Sequence, residues 1–270
     1  MKAAGAKVGT QSVSRVLESA AGLEVAASLL QLLLLPAGLV RRRVPDRARG
    51  RSRPVVLVHG YGAGPAALLP VELALHYVGF DRVFPFSYST ANQDDIETLA
   101  GSLGRHVSQV ARCCDGQTVD LVCHSLGGMI ARYYLQQLGG HRLVDQCITL
   151  ATPHLGTYSS YWAPTAVGRQ LRPGSDFLVR LNDPARRAPG VRYHSLGGEL
   201  DLLVLPRENA LYPQGSTVLL AGVGHNGILL HPQALRKVIE RLRAGQDMPS
   251  SRLERLVQLA TGMWRRWGRV

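Results

Sequence analysis

The chain has 270 residues, 46% of them hydrophobic, and a formal net charge of +12. That length holds one large core with appendages, and no internal repeat or low-complexity stretch points to a solenoid or a disordered chain. The charge does not fit a nucleic-acid enzyme, because residues 1–53 are net +7 and residues 236–270 net +6 while residues 54–235 are net −1, and phosphate binding needs the positive charge around the site.

Residues 20–40 read AAGLEVAASLLQLLLLPAGLV and are followed by Arg41, Arg42 and Arg43. The run is about long enough to span a bilayer as a helix. Glu24, Ser28 and Gln31 fall at i, i+4 and i+7, one polar stripe that suits a helix lying on a membrane or packed on its own domain. Arginines beside an apolar run suit an anionic membrane surface. If the run spans, they favour the cytoplasmic face for the domain C-terminal to it. The expectation is membrane association, cytoplasmic face favoured, with secreted and soluble cytoplasmic locations left open. Residues 44–54 (VPDRARGRSRP) read as a linker, and Pro54 marks the start of a domain.

From there strands and helices alternate. The patterns predict strands at 55–58, 83–86, 119–123, 147–151, 191–196 and 218–221, and helices at 66–78, 95–113, 126–138 and 232–243. Continuous apolar strands separated by helices describe a mostly parallel sheet with helices on both faces. Right-handed crossovers then put every strand's C-terminal end along one edge, where a site is expected. Between 152 and 190 the alternation breaks into a cap-like insertion containing Tyr158, Tyr161, Trp162, Pro164 and Phe177. The last segment is helical in period, with Leu253, Leu256, Val257, Ala260, Met263, Trp264 and Trp267 on one face and arginines around it. That composition fits an interfacial helix or one docked on the domain. The predicted organisation is thus 1–53, hydrophobic helix and basic linker; 54–245, catalytic α/β domain; and 246–270, basic amphipathic helix.

The chemistry centres on VDLVCHSLGGM, residues 119–129. An apolar strand runs into Ser125, and Leu126 opens a helix, the setting of a nucleophile elbow. So sharp a turn strains the serine backbone and requires small residues two before and two after it, here Cys123 and Gly127. The usual earlier residue is Gly, so Cys123 is a departure. With Cys147 it also lies in an apolar run, as a small core residue. Cys113 and Cys114 are adjacent and no CxxC pair exists, which argues against a zinc site. VVLVHGYGAG, residues 55–64, is a strand ending in His59, Gly60 and more glycine. The backbone N–H groups of Tyr61 and Leu126 are the expected oxyanion donors.

His225, in AGVGHNGILL after a strand, is the expected general base. His59, His124, His154 and His231 have structural readings, with His124 expected to point away from the site. Asp201, in GGELDLLVLP, is the expected acid, with Glu199 as its alternative; Asp176 and Asp183 fit less well. Together these give acyl transfer through Ser125, His225 and Asp201, chemistry that requires no metal or cofactor. A histidine base predicts activity that falls on the acid side of roughly pH 6–7.

Five blocks in order, VVLVHGYG, VDLVCHSLGGMIARYYL, TLATPHLGT, DLLVLP and GVGHNGILL, resemble the bacterial class 2 or triacylglycerol lipases of the α/β-hydrolase fold. The resemblance implies Ser125 as nucleophile, Asp201 as acid, His225 as base, Tyr61 and Leu126 as oxyanion donors, and fatty-acid esters as substrates. The terminal helices lie outside it. The expected function is hydrolysis of acyl-lipid esters near a membrane surface, with no nucleic-acid partner and oligomeric state open. Alternatives are an acyltransferase or thioesterase with the same triad, or a non-catalytic membrane-bound binding module.

Overall fold

The computed structural model describes residues 22, 24–29, 33, 43–90, 94–244, 246 and 251–267. The apolar tetrapeptide VVLV forms β1 (Val55–Val58), buried on both faces. It pairs with β2 (Val83–Phe86) on one side and β3 (Val119–His124) on the other; β4 (Val144–Leu150), β5 (Arg192–Gly198) and β6 (Ser216–Leu220) lie successively outward. Every pairing is parallel, in the order β2-β1-β3-β4-β5-β6. The chain steps outward from β1 to β2 and then crosses back to β3, so its direction of progress reverses between β1 and β3. Open α/β sheets hold their crevice at the carboxyl ends of the strands at such a reversal.

Alternate side chains of the strands feed two cores. On one face Val55, Leu57, Val122, Ile148, Leu150, Leu196 and Leu220 meet α1 (Leu69–Tyr77) and α6 (Pro232–Arg243). On the other, Val56, Val58, Leu121, Cys123 and Cys147 meet α2 (Ile96–Cys113) and α3 (Leu126–Gln137). The α2 sequence supplies Ile96, Leu99, Leu103, Val107 and Val110 on one side, all buried, the three-to-four spacing of an amphipathic helix. Asp95 caps it by accepting from the Thr98 N–H at 2.8 Å.

The 152–190 segment contains no strand. It folds into short helical turns, including α4 (Ala166–Gln170) and α5 (Asp176–Leu181). Its aromatics divide: Phe177 is buried in the core against Tyr133, whereas Tyr158, Tyr161 and Trp162 are exposed. The segment is fastened by Arg132, a fully buried residue of α3. Arg132 donates to the carbonyls of His154 (3.1 Å) and Leu181 (2.9 Å) and to Asn182 Oδ1 (2.9 Å), and lies over the Tyr212 ring.

The appended segments also meet the domain. Helix α7 (Ser251–Trp267) buries Leu253 and packs Leu256 and Val257 on the α1–α6 core, and Trp264 meets His231 edge-on at 4.7 Å. Leu259 and Met263 stay exposed. Near the N-terminus residues 24–29 are helical and Ala27 is buried. Gln31 of the polar stripe, most of the 20–40 run, Arg41 and Arg42 lie outside the described residues. Among the described residues, no helix is long and apolar enough to cross a membrane. At the opposite edge of the sheet from the site, the Arg53 guanidinium joins buried Asp120 at 3.2 Å and also pairs with Asp145, tying the linker to the first residues of β3 and β4.

Candidate active site

Ser125 stands between β3 and α3 with φ 53° and ψ −124°, left-handed backbone that a side chain adopts only when the surroundings enforce it. Two hydrogen bonds hold it there. The Ser125 N–H donates to the Leu150 carbonyl at 2.9 Å, and Thr152 Oγ1 donates to the Ser125 carbonyl at 2.9 Å. Gly127 lets α3 press onto β1: a Cβ there would lie 2.5 Å from the carbonyl oxygens of both Val58 and His59. On the strand side Cys123 is fully buried, and burial, then its neighbour Cys147, pushes its thiol pKa well up. It is therefore a neutral packing residue and not a rival nucleophile.

His225 follows β6 and reaches back over the elbow. Its Nε2 lies 3.0 Å from Ser125 Oγ, and its Nδ1 lies 2.8 Å from Asp201 Oδ2. The other Asp201 oxygen accepts from the Leu203 and Val204 N–H groups, both at 2.8 Å, which fixes the carboxylate in a buried turn. Glu199, the alternative acid, is turned elsewhere and accepts from the Gly222 N–H at 3.3 Å. Asp176 and Asp183 remain in the insertion, where Asp183 caps a short turn.

The support residues surround this line. His59 is buried and stacks on Tyr88 with ring centres 4.1 Å apart; its Nδ1 sits 3.0 Å from the Gly60 carbonyl, and the Tyr88 hydroxyl donates to the His59 carbonyl at 2.7 Å. Gly60 passes directly over the elbow: a Cβ on it would come 3.0 Å from Ser125 Cβ. His124 differs from expectation. Instead of pointing away, it lies beside the His225 ring, 4.9 Å between centres, with Nε2 3.0 Å from the His225 carbonyl oxygen. Burial, then the adjacent His225, pushes its pKa down to about 3. A neutral ring in that position donates through Nε2–H and holds the backbone of the neighbouring histidine. Of the remaining histidines, His154 is buried against Thr149 and Arg132, and His231 opens α6.

Ser125 and His225 open into a cavity of about 250 Å³. Gly60, Tyr61 and Leu126 form one wall, Leu203 and Val204 another, and the insertion supplies Thr157, Ala163, Val167 and Leu171. Four residues that sequence reasoning passed over shape the site: Tyr88, Arg132, Thr152 and Asn226, the last also in the cavity wall. Three of these carried a signal, Arg132, Thr152 and Asn226 lying inside the VDLVCHSLGGMIARYYL, TLATPHLGT and GVGHNGILL blocks, whereas Tyr88 lies in none of them.

A family model described as palmitoyl protein thioesterase matches residues 54–187. The structure is similar to lipase BlEst2 of Bacillus licheniformis, with TM-score 0.63 and 17% identity over 74% of this chain and 96% of that one. It is similar to lipase B of Aspergillus fumigatus, with TM-score 0.63 and 17% identity over 80% of this chain and 57% of that one. It also resembles phospholipase PlaB of Legionella pneumophila, with TM-score 0.58 and 16% identity over 80% of this chain and 63% of that one. The chain has the α/β-hydrolase fold. The resemblance of its motifs to class 2 lipases stands at the level of that fold.

Proposed function

We propose that the protein is a serine hydrolase that cleaves carboxylic esters of acyl lipids. The observation that carries this reading is the continuous line from Ser125 Oγ to His225 at 3.0 Å and from His225 to Asp201 at 2.8 Å, opening into a mostly apolar cavity. His225 Nε2 takes the Ser125 hydroxyl proton as Oγ adds to the ester carbonyl carbon. The carbonyl oxygen becomes an oxyanion facing the backbone N–H groups of Tyr61 and Leu126. Collapse expels the alcohol, which leaves with the proton from Nε2, and the acyl group stays on Oγ. Water then gives a proton to Nε2 and adds to the acyl carbonyl; the second collapse releases the acid and returns the proton to Oγ. Asp201 orients the imidazole and stabilises its cationic form.

The cavity also bears on the substrate. A volume of about 250 Å³ lies just below the range of roughly 300–1,000 Å³ usual for drug-sized ligands. A short acyl chain fits inside, and a longer one must continue across the exposed rim of Tyr158, Tyr161 and Trp162, whose neighbours Ser159, Ser160 and Ala163 line the cavity. The same rim, with Leu202 and Leu203 exposed beside it and basic segments at both ends of the chain, suits contact with an anionic bilayer. Sedimentation with phosphatidylglycerol vesicles, weakened by salt, is the expected result; no binding at low salt removes the membrane from this reading.

The experiment is hydrolysis of p-nitrophenyl esters from acetate to palmitate, with Ser125→Ala as control. Turnover should be greatest on short and medium chains and fall by at least about 10³-fold in Ser125→Ala, which keeps its fold. Activity retained in that variant overturns the assignment.

The match to a palmitoyl protein thioesterase model over residues 54–187 favours a second reading in which the leaving group is a thiolate. The acyl-enzyme is the same for either leaving group. Comparing kcat/KM for an oxygen ester and a thioester of one acyl chain decides between them.

A further inference from the structure

Residues 222–227 carry the base on a segment with three glycines, Gly222, Gly224 and Gly227. Glycine backbone is the softest available, yet a general base must hold its position to within a fraction of an ångström. Something outside the loop has to supply the rigidity.

The N-terminal helical residues 24–29 do so. Glu24 lays its carboxylate across the two peptide groups that come after the histidine: Oε1 accepts from the Asn226 N–H at 2.7 Å and Oε2 from the Gly227 N–H at 2.8 Å. One turn further on, Ser28 Oγ accepts from Asn226 Nδ2 at 3.0 Å. The i, i+4 polar stripe of this helix is thus spent on the loop of the base. Two of the loop's glycines are shaped to the carboxylate. A Cβ on Gly224 would come 2.3 Å from Glu24 Oε2, and one on Gly227 would come 3.1 Å from it. From the other side His124 holds the His225 carbonyl at 3.0 Å. Charge-assisted bonds to backbone N–H groups are roughly twice as strong as neutral ones, and two of them from one carboxylate fix both distance and tilt.

We infer that Glu24 is a positioning residue for His225, and that the N-terminal helix, though it lies outside the matched 54–187 region, completes the active site. The inference rests on the proposed triad. Glu24 touches no reacting atom; it acts by holding the peptide groups of Asn226 and Gly227 so that the imidazole stays in line between Asp201 and Ser125.

The test uses the full chain with Glu24→Gln, which keeps the shape but sets an NH₂ group against one backbone N–H, and Glu24→Ala, which removes both acceptors. Both should lower kcat on p-nitrophenyl butyrate by about 10- to 100-fold with KM nearly unchanged. Fluorophosphonate labelling of Ser125 should slow in parallel. Glu254→Gln on α7, which removes one exposed ion pair with Arg236, should leave all of these unchanged. Amide hydrogen exchange gives a second readout: the Asn226 and Gly227 N–H groups should be protected in the parent protein, with protection lost at one of them in Glu24→Gln and at both in Glu24→Ala. Unprotected amides in the parent overturn the inference, as does a Glu24→Gln protein with parental kcat. Ser125→Ala, run alongside, separates the two claims. Serine-independent turnover removes the triad, whereas serine-dependent turnover indifferent to Glu24 removes only the positioning role.

Discussion

Gly127 and Cys123 flank the strained serine, and they differ in how much room each has. A methyl at Gly127 would press on the carbonyl oxygens of Val58 and His59 at 2.5 Å, backbone atoms that cannot move without separating α3 from β1. Gly127→Ala should therefore lose most turnover and several degrees in Tm; a variant with parental melting and rate would mean the elbow relaxes freely. Cys123 replaces the customary glycine and is fully buried beside Cys147. Cys123→Gly should stay active, because the turn accepts glycine, but lose about 1–2 kcal/mol of stability from the void and the looser strand. Paired ester assays and urea melts check both parts, and inactivity in a folded protein would give the thiol a role beyond packing. His124 was legible in sequence only as a neighbour of the serine. Its bond to the His225 carbonyl joins residues 101 positions apart, and no local pattern encodes that.

Among the elements, the insertion depends on α3 for its position. Arg132 is fully buried, and its bonds to the insertion run to two carbonyls and an amide oxygen. Arginine suits this because its planar fork reaches several acceptors at once. Arg132→Ala would leave those acceptors unpaired and an opening beside Tyr212. A loss of about 3–5 kcal/mol is expected, with a raised KM in whatever protein remains folded, because the insertion lines the proposed substrate cavity. Chemical denaturation and ester kinetics measure the two effects; parental stability would show that the insertion is held elsewhere. The sequence marked 152–190 as irregular and aromatic, and so as a cover. It did not show that Phe177 belongs to the core while Trp162 is 90% exposed, because that division depends on which face of each short turn meets α3.

At the scale of the molecule, burial of neutral histidines sets the response to acid. Burial, as the largest cause, pushes His59, His106, His194 and His231 down to about 4 and His124 to about 3. The unfolded chain takes up these protons near 6.5 and the folded one does not, so their contribution to stability is full above that pH and is lost as pH falls toward 4. Asp120 runs the other way. Burial first, opposed by Arg53, raises it to about 6, so it favours the fold at low pH and that contribution fades as pH rises from about 4 to 6. Burial, then Arg132, also pushes His154 well down, and six histidines against one carboxylate predict a Tm that falls on acidification from pH 6.5 to 4. Calorimetry across that range tests it, and a flat or rising Tm would contradict it. Asp120→Asn should remove the opposing contribution and steepen the fall.

The amino-acid sequence by itself determined the α/β alternation and the parallel sheet, and it pointed to Ser125 and His225 of the proposed triad, with the acid left between Asp201 and Glu199. Each rests on a short-range signal: an apolar run of strand length, a helical period, or small residues pinned around a sharp turn. Predicted strand ends moved by up to three residues, as at β4, which starts at Val144 and not at Cys147, because a strand's limits are set by its partner's hydrogen bonds. Only the tertiary structure decided which face of each helix meets which core, that His124 turns toward His225, and that Arg132 anchors the insertion. It also brought Glu24 to the loop of His225, across about 200 residues of chain. From the sequence Glu24 read as part of a polar stripe, consistent with a membrane surface or with the protein itself. The choice between those surfaces is made by complementary shape and paired peptide groups, and these exist only once the chain is folded.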